Sequence, residues 1–277
     1  MELGRVGIWN RIIAEDEPRS REAAAEVDEL GYGAVWIGGS PPVSLAENVL
    51  AATERLVVAT GILNIWQHEA ADVAAQSKAA SEKFNDRFLL GLGASHGPIV
   101  KNYAKPLSAM RDFLAGLDAA GHPRERRVLA ALGPKMLELS AREAAGAHPY
   151  LVTPEHTARA RGILGAGPLL APELKAVLTN DVAKGREIAR DHLQIYLNFP
   201  NYLNSLRTLG FDEADFADGG SDKLVDGTVA IGDESAIGDR LKQHLDGGAD
   251  HVCVQVLNDP LPVAEWRSLS GLIQAHS

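Results

Sequence analysis

The stretch Arg87-Phe-Leu-Leu-Gly-Leu-Gly-Ala-Ser-His96 sets a serine and a histidine directly after a short uncharged run. Phe88 to Leu90 reads as a strand buried on both faces, the kind found in parallel sheets. Gly91 and Gly93 then permit a tight turn and close approach of a ligand to the backbone. Ser95 and His96 therefore stand where α/β folds place their chemistry, at the C-terminal end of a buried strand. Imidazole can donate or accept a proton near neutral pH, so His96 is the first candidate for proton delivery. His68, just past Asn64-Ile-Trp66, is the second. A plain strand exit carrying a surface histidine is the bland alternative for each.

Other apolar runs end in the same way. Their exits hold Trp9 and Asn10; Gly38, Gly39 and Ser40; Thr60, Gly61, Ile62 and Asn64; Gly93, Ala94 and Ser95; Leu132, Gly133 and Lys135; and Thr153. The set is polar with little bulk, with a few groups placed to orient a small molecule. Gly133-Pro134-Lys135 opens a helix, whose free N–H groups and dipole favour an anion. A phosphate could dock there with Thr153 near it, although Pro134 removes one donor and Lys135 is equally read as a solvated first-turn lysine. Trp9 and Trp66 could line an apolar substrate pocket; Trp36 reads as core. The chain has nine histidines but no recurring metal-ligand spacing, so no metal is expected.

The elements that must position these residues alternate strand and helix. Strands are expected at Gly4 to Trp9, Ala34 to Ile37, Leu56 to Thr60, Phe88 to Leu90, Arg127 to Leu132, His148 to Thr153, Leu174 to Thr179 and His251 to Leu257. Helices are expected between them, including Arg21 to Leu30, Leu45 to Thr53, Ala70 to Phe84, Leu107 to Ala120 and Lys135 to Ala145. Thr153-Pro154 fits an N-cap followed by proline at the first helical position. Residues from roughly 194 to 230 have no clean period and read as an insertion with short helices. Eight strand–helix units imply right-handed crossovers and favour a closed (β/α)8 TIM barrel over an open sheet. One domain spanning 1–277 is the economical reading.

The chain has 277 residues, a length normal for such a barrel. Hydrophobic residues make up 45% and charged residues 23%, as in ordinary globular proteins. The net charge of −10 argues against nucleic acid as a partner. Cys253, the single cysteine, excludes an intrachain disulfide and lies in an apolar run that suits inert packing. Neither a signal peptide nor an apolar run long enough to span a membrane is visible, so a cytoplasmic protein is expected.

Gly31-Tyr-Gly-Ala-Val-Trp-Ile37, Ala59-Thr-Gly-Ile62, Arg87 to Gly93, Leu129-Ala-Ala-Leu-Gly133 and Ala249-Asp-His-Val252, in this order, are similar to a known pattern. The chain resembles the bacterial luciferase-like superfamily, in its branch of coenzyme F420-dependent oxidoreductases. The resemblance implies a TIM-type barrel with a late insertion, a deazaflavin or flavin across its C-terminal mouth, and a homodimer. It also implies a non-prolyl cis peptide between Gly61 and Ile62, in a bulge pressed against the ring. Members often carry an Asp or His where strand two ends. Gly38-Gly39-Ser40 stands there instead, which argues against a sugar-phosphate or simple secondary-alcohol substrate.

The first functional expectation is therefore hydride transfer between coenzyme F420 and a small organic substrate. An FMN-dependent monooxygenase on the same fold is the alternative. A non-catalytic barrel that has lost the ring site, and a lyase or isomerase with a phosphate at Lys135, are the others.

Overall fold

The computed structural model describes residues 2–95 and 105–276, so His96 lies outside the described residues. Its strand segments are β1 (Val6–Asn10), β2 (Ala34–Gly38), β3 (Val57–Gly61), β4 (Leu63–Asn64), β5 (Phe88–Gly93) and β6 (Arg127–Leu129). They continue as β7 (Gly146–Ala147), β8 (Leu169–Leu170), β9 (Glu173–Leu178), β10 (Val229–Gly232) and β11 (Val252–Val256). All pairings are parallel, in the order β10-β9-β11-β1-β2-β3-β5-β6-β7-β8, with β4 also on β5.

The sheet closes through the segment that holds β8 and β9. Its backbone bonds one way to the β7 side, Ala171 N to Ala147 O at 2.9 Å and Glu173 N to Pro149 O at 2.9 Å. The other way it accepts from the β11 side, Asp250 N to Leu170 O at 2.9 Å and Cys253 N to Pro172 O at 3.1 Å. β8 and β9 thus act as one stave, and β3 and β4 as another. The staves β1, β2, β3/β4, β5, β6, β7, β8/β9 and β11 form a closed (β/α)8 barrel, as expected. β10 is an additional strand on the far end of β9.

Why the strands read as unbroken apolar runs follows from their two faces. One face, with Ile8, Val35, Val58, Leu90 and Val254, packs against the surrounding helices. The other, with Trp9, Trp36, Val57, Leu89, Val128 and Cys253, fills the barrel. Trp36 is fully buried at 0% exposure, which makes it core as the sequence suggests. Cys253 is equally buried, and burial pushes its thiol pKa well up, consistent with inert packing.

The sixth strand departs from expectation. It is Gly146–Ala147, and the stretch His148 to Thr153 expected there is its exit loop, with Leu151 in the left-handed region at φ 57°. Pro149 lacks an N–H and cannot continue a ladder, so the apolar character of that stretch reflects packing under the inserted helices instead. The strand segments at Leu169–Leu170 and Val229–Gly232 were not expected. The helices begin and end within about three residues of expectation. The insertion contains helices Pro200–Arg207 and Asp222–Thr228 joined by tight turns.

β3 meets β5 with a change of register. Val58 faces Phe88, an offset of 30, whereas Leu63 faces Leu92, an offset of 29, so β3/β4 carries one extra residue. The bulge falls at Thr60–Ile62, and its Gly61–Ile62 peptide is cis, as expected. The Thr60 hydroxyl replaces the lost ladder: it donates to Gly91 O and accepts from Gly91 N, both at 2.8 Å. The strands come so close that a Cβ on Gly91 would lie 1.8 Å from Thr60 O.

That contact is with backbone, which cannot step aside. Gly91→Ala is therefore expected to destabilise the fold by about 3 kcal/mol or more in urea denaturation. Gly162→Ala, inside the helix Pro154–Leu164 with open space around it, should stabilise by about 0.5–1 kcal/mol.

Candidate active site at the C-terminal rim

The bulge delivers Ile62 half-buried to the rim, directly over Gly93. A Cβ on Gly93 would lie 2.3 Å from the Ile62 Cδ1, so the absent side chain is what lets Ile62 settle. Beside it, the Trp9 ring lies across Gly38, where a Cβ would come within 2.0 Å of the indole. The Trp9 Nε1 is 3.0 Å from the Cβ position of Gly61 and has no hydrogen-bond partner although buried. A buried donor left open costs roughly 1–3 kcal/mol and invites an acceptor.

The next exit is tied to this floor. Trp66 Nε1 donates to Ala94 O at 2.6 Å, and Asn64 Oδ1 accepts from Trp66 N at 3.2 Å. Ser40 after β2 and Ser95 after β5 have φ of 61° and 56°. Together with Leu151, they are left-handed non-glycine residues at three strand exits.

Opposite lies a polar cluster inside the barrel. Glu173 and Lys175 alternate on β9, so both point inward, and Lys175 Nζ donates to both Glu173 carboxylate oxygens at 2.9 Å. Their side chains are 1% and 0% exposed. Burial pulls each toward its neutral form and the partner's charge opposes that pull. The ammonium also sits 3.5 Å from the centre of the Tyr150 ring. The Tyr150 hydroxyl is 2.9 Å from that of Tyr196 and 2.8 Å from Gln255 Oε1. Tyr202 completes the group at 5.5 Å from Tyr196, edge-on, and Trp9 joins it to the floor, 5.2 Å from Tyr150. Deeper in the barrel, His148 stacks on Trp36 at 4.2 Å, while Trp36 Nε1 donates to His251 Nε2 at 3.1 Å.

A cleft of about 510 Å³ opens beside this rim, between the starts of helices Pro134–Glu143 and Pro154–Leu164 and the inserted helix Pro200–Arg207. Gly133, Pro134, His156, Arg159, Asn204 and Thr208 are among its walls. His156 Nε2 donates to Leu132 O at 2.9 Å, and Arg159 Nη1 donates to Thr208 O and Oγ1 at 3.0 and 3.1 Å. A Cβ on Gly133 would meet nothing within 4 Å, so the N-terminal turn of the first helix is open to a ligand.

Residues 14–251 match the model of a protein family described as luciferase-like monooxygenase. The chain belongs to that family. Among solved structures, an F420-dependent secondary alcohol dehydrogenase in complex with an F420–acetone adduct is similar at TM-score 0.78 and 11% identity, covering 100% of both chains. A coenzyme F420-dependent tetrahydromethanopterin reductase from Methanopyrus kandleri gives 0.76 and 14%, over 99% of this chain and 100% of that one. The FMN-bound oxygenating constituent of 3,6-diketocamphane monooxygenase from Pseudomonas putida, a type II Baeyer–Villiger monooxygenase, gives 0.71 and 13%, over 99% and 97%. At these identities the likeness is one of fold. No curated protein matches the chain.

On this luciferase-like frame the expected residues fall into three sets. Trp9, Gly38, Thr60, Gly61, Ile62, Asn64, Trp66, Gly93, Ala94 and Ser95 come together at the bulged side of the rim. Thr60 is spent on Gly91 and serves the floor through its backbone. Gly133 and Pro134 line the cleft, whereas Lys135 is exposed and is not among the cleft's walls. Thr153 caps its helix, accepting from His156 N at 3.4 Å. His68 is half-buried just after the turn Ile65–Gln67. Among the described residues no three His, Cys, Asp or Glu side chains converge as a metal site, and no helix is long and apolar enough to cross a membrane.

The tyrosine cluster and the His156–Arg159 wall were missed. Glu173-Leu-Lys175 carried a signal: two opposite charges two apart in an otherwise apolar strand face the same way. His156 and Arg159, three apart after the Thr153 cap, share one helix face.

Two expectations follow for this luciferase-like chain. Lys175→Met leaves the Glu173 carboxylate buried and alone, and should cost roughly 3–5 kcal/mol in urea denaturation, with Glu173→Gln added to it recovering part of the loss. His148 and His251 are pushed by burial from 6.5 to about 4, so the fold holds them neutral. Their contribution is complete above pH 6.5 and is lost as the pH falls toward 4, so the denaturation midpoint should drop across that window.

Proposed function

We propose that this protein is an oxidoreductase that holds a flat tricyclic redox cofactor across the barrel rim and moves hydride between it and an organic substrate. Coenzyme F420 is the first cofactor in this reading. The observation that carries it is the bulged floor, where Ile62 rides over side-chain-less Gly93 beside the unpartnered Trp9 N–H. A planar ring would lie against Ile62 over the side-chain-less glycines, with an edge placed to accept from Trp9. Backbone and side chains from Gly61 to Asn64 and Gly93 to Ser95 would lie under the ring. The helix start at Gly133–Pro134, with Arg159, would take the phosphate of the cofactor's tail; Lys135 lies in that first turn, and Thr153 caps the helix that carries Arg159.

When bound, the cofactor supplies reversible two-electron hydride chemistry. The chain's own share is to orient the ring, exclude water and manage the proton. His68 is one candidate for that proton, and His96 another. The likeness to an F420-dependent dehydrogenase and reductase supports this reading. The likeness to an FMN-bound monooxygenase supports reduced FMN with oxygen as the second. A cytoplasmic homodimer remains part of the proposal.

The test is fluorescence titration of the pure protein with coenzyme F420 and with FMN, followed by turnover without oxygen. Saturable F420 binding with a Kd on the order of micromolar, and hydride transfer that survives anaerobically, are expected. Failure to bind either cofactor at that level would remove the reading; FMN binding with strictly oxygen-dependent turnover would favour the second.

A further inference from the structure

The cluster opposite the floor has a chain of hydroxyls with one free end. Gln255 on β11, Tyr150 in the β7 exit loop and Tyr196 in the inserted segment are linked by contacts of 2.8 and 2.9 Å. Tyr150 packs on Trp9 at 5.2 Å, and Trp9 packs on Gly38 and Gly61, so the chain begins beside the bulged floor. Tyr196 is half-buried at the outer end, on the turn Tyr196–Asn198 that follows helix Val182–Leu193.

We propose that Tyr196 is a catalytic acid that gives its hydroxyl proton to a carbonyl oxygen of the substrate, with Tyr150 and Gln255 positioning it. This rests on the hydride-transfer reading above and names the substrate class: an aldehyde or an enone. With an aldehyde, hydride from the reduced cofactor forms a C–H bond at the carbonyl carbon and the π pair ends on oxygen. With an enone the C–H bond forms at the β carbon, the pair shifts through the conjugated system to oxygen, and the enol formed on protonation tautomerises to the saturated ketone. In both cases the oxygen takes the Tyr196 proton as the phenolic O–H bond breaks, and the half-buried phenolate recovers a proton from water.

Three features support the assignment. The chain can point either way. With Gln255 Oε1 toward Tyr150, Tyr150 donates to it and Tyr196 donates to Tyr150. With the amide turned, its NH₂ donates to Tyr150, Tyr150 donates to Tyr196, and the Tyr196 proton faces outward. An arriving carbonyl oxygen selects the second state. Next, burial raises the pKa of both phenols, so they enter the reaction protonated. Finally, Lys175 directs two N–H bonds to Glu173 and its charge over the Tyr150 ring, so the ammonium is engaged within the wall.

The test uses the full-length protein loaded anaerobically with whichever reduced cofactor it binds. Acceptors are 2-cyclohexen-1-one and benzaldehyde. Tyr196→Phe is expected to keep the cofactor Kd of the wild type and to lose roughly 10²-fold in kcat with little change in KM. It should also lose the slowing in D2O that the wild type shows. Tyr150→Phe should lower kcat less and keep part of the D2O effect. Circular dichroism and cofactor affinity check that the variants fold. Equal kcat and an equal D2O effect in wild type and Tyr196→Phe overturn the inference, and so does cofactor-loaded wild type that reduces none of the acceptors. In either case cofactor binding leaves the functional reading standing, whereas a wild type that binds neither cofactor ends both.

Discussion

The backbone approach between Thr60 and Gly91 is the constraint on which the site depends. An extra residue in one strand of a parallel pair leaves ladder groups without partners, and these lie too deep to be satisfied by water. The Thr60 hydroxyl resolves this by serving as acceptor for Gly91 N and donor to Gly91 O at once. The solution requires the strands to close up until residue 91 has no room for a Cβ. Once they do, Ile62 is thrown to the rim, Gly93 must be bare beneath it, and Trp9 finds its seat across Gly38 and Gly61. The floor is thus a consequence of hydrogen-bond accounting in the barrel wall.

The other wall is held by a different kind of interaction. A buried ion pair such as Glu173–Lys175 is weak evidence for stability, because apolar residues of the same volume would often do as well. Its effect here is positional. The ammonium is fixed by two bonds to one carboxylate, and the Tyr150 ring rests on it at 3.5 Å. Tyr150 in turn orients Tyr196, which the barrel does not itself carry. The insertion is docked by Tyr202, Phe199 and Val225 packed against Val177 and Leu151, so a segment without a regular period still presents one hydroxyl at a defined place.

How much of this could be read from the sequence differs from residue to residue. β1, β2, β3, β5 and β11 were legible because strands buried on both faces stay apolar throughout, and their glycine exits stand out. The bulge at Gly61–Ile62 was legible only through resemblance, since a glycine after a strand is common. The stave at Leu169 was hidden by Pro168 and Pro172, which make a short extended stretch look like a loop. The sixth strand was misplaced because His148-Pro-Tyr-Leu-Val is more apolar than Gly146-Ala147, and apolarity follows burial under the insertion as well as strand position. The tyrosine chain joins residues 150, 196 and 255, whose adjacency exists only after the barrel closes.

These two walls have different physical origins, and that bears on how one fold hosts several chemistries. The F420-dependent and FMN-bound proteins that share this architecture differ in reaction while keeping the frame. A floor built from close approach tolerates few substitutions, because a Cβ on Gly91, Gly38 or Gly93 would lie 1.8, 2.0 or 2.3 Å from its nearest neighbour. The facing wall is built from side chains on exit loops and an inserted segment, where a phenol can become another group without disturbing the ladder. In the proposed reading, ring binding would belong to the part of the chain that cannot change, and the choice of substrate to the part that can.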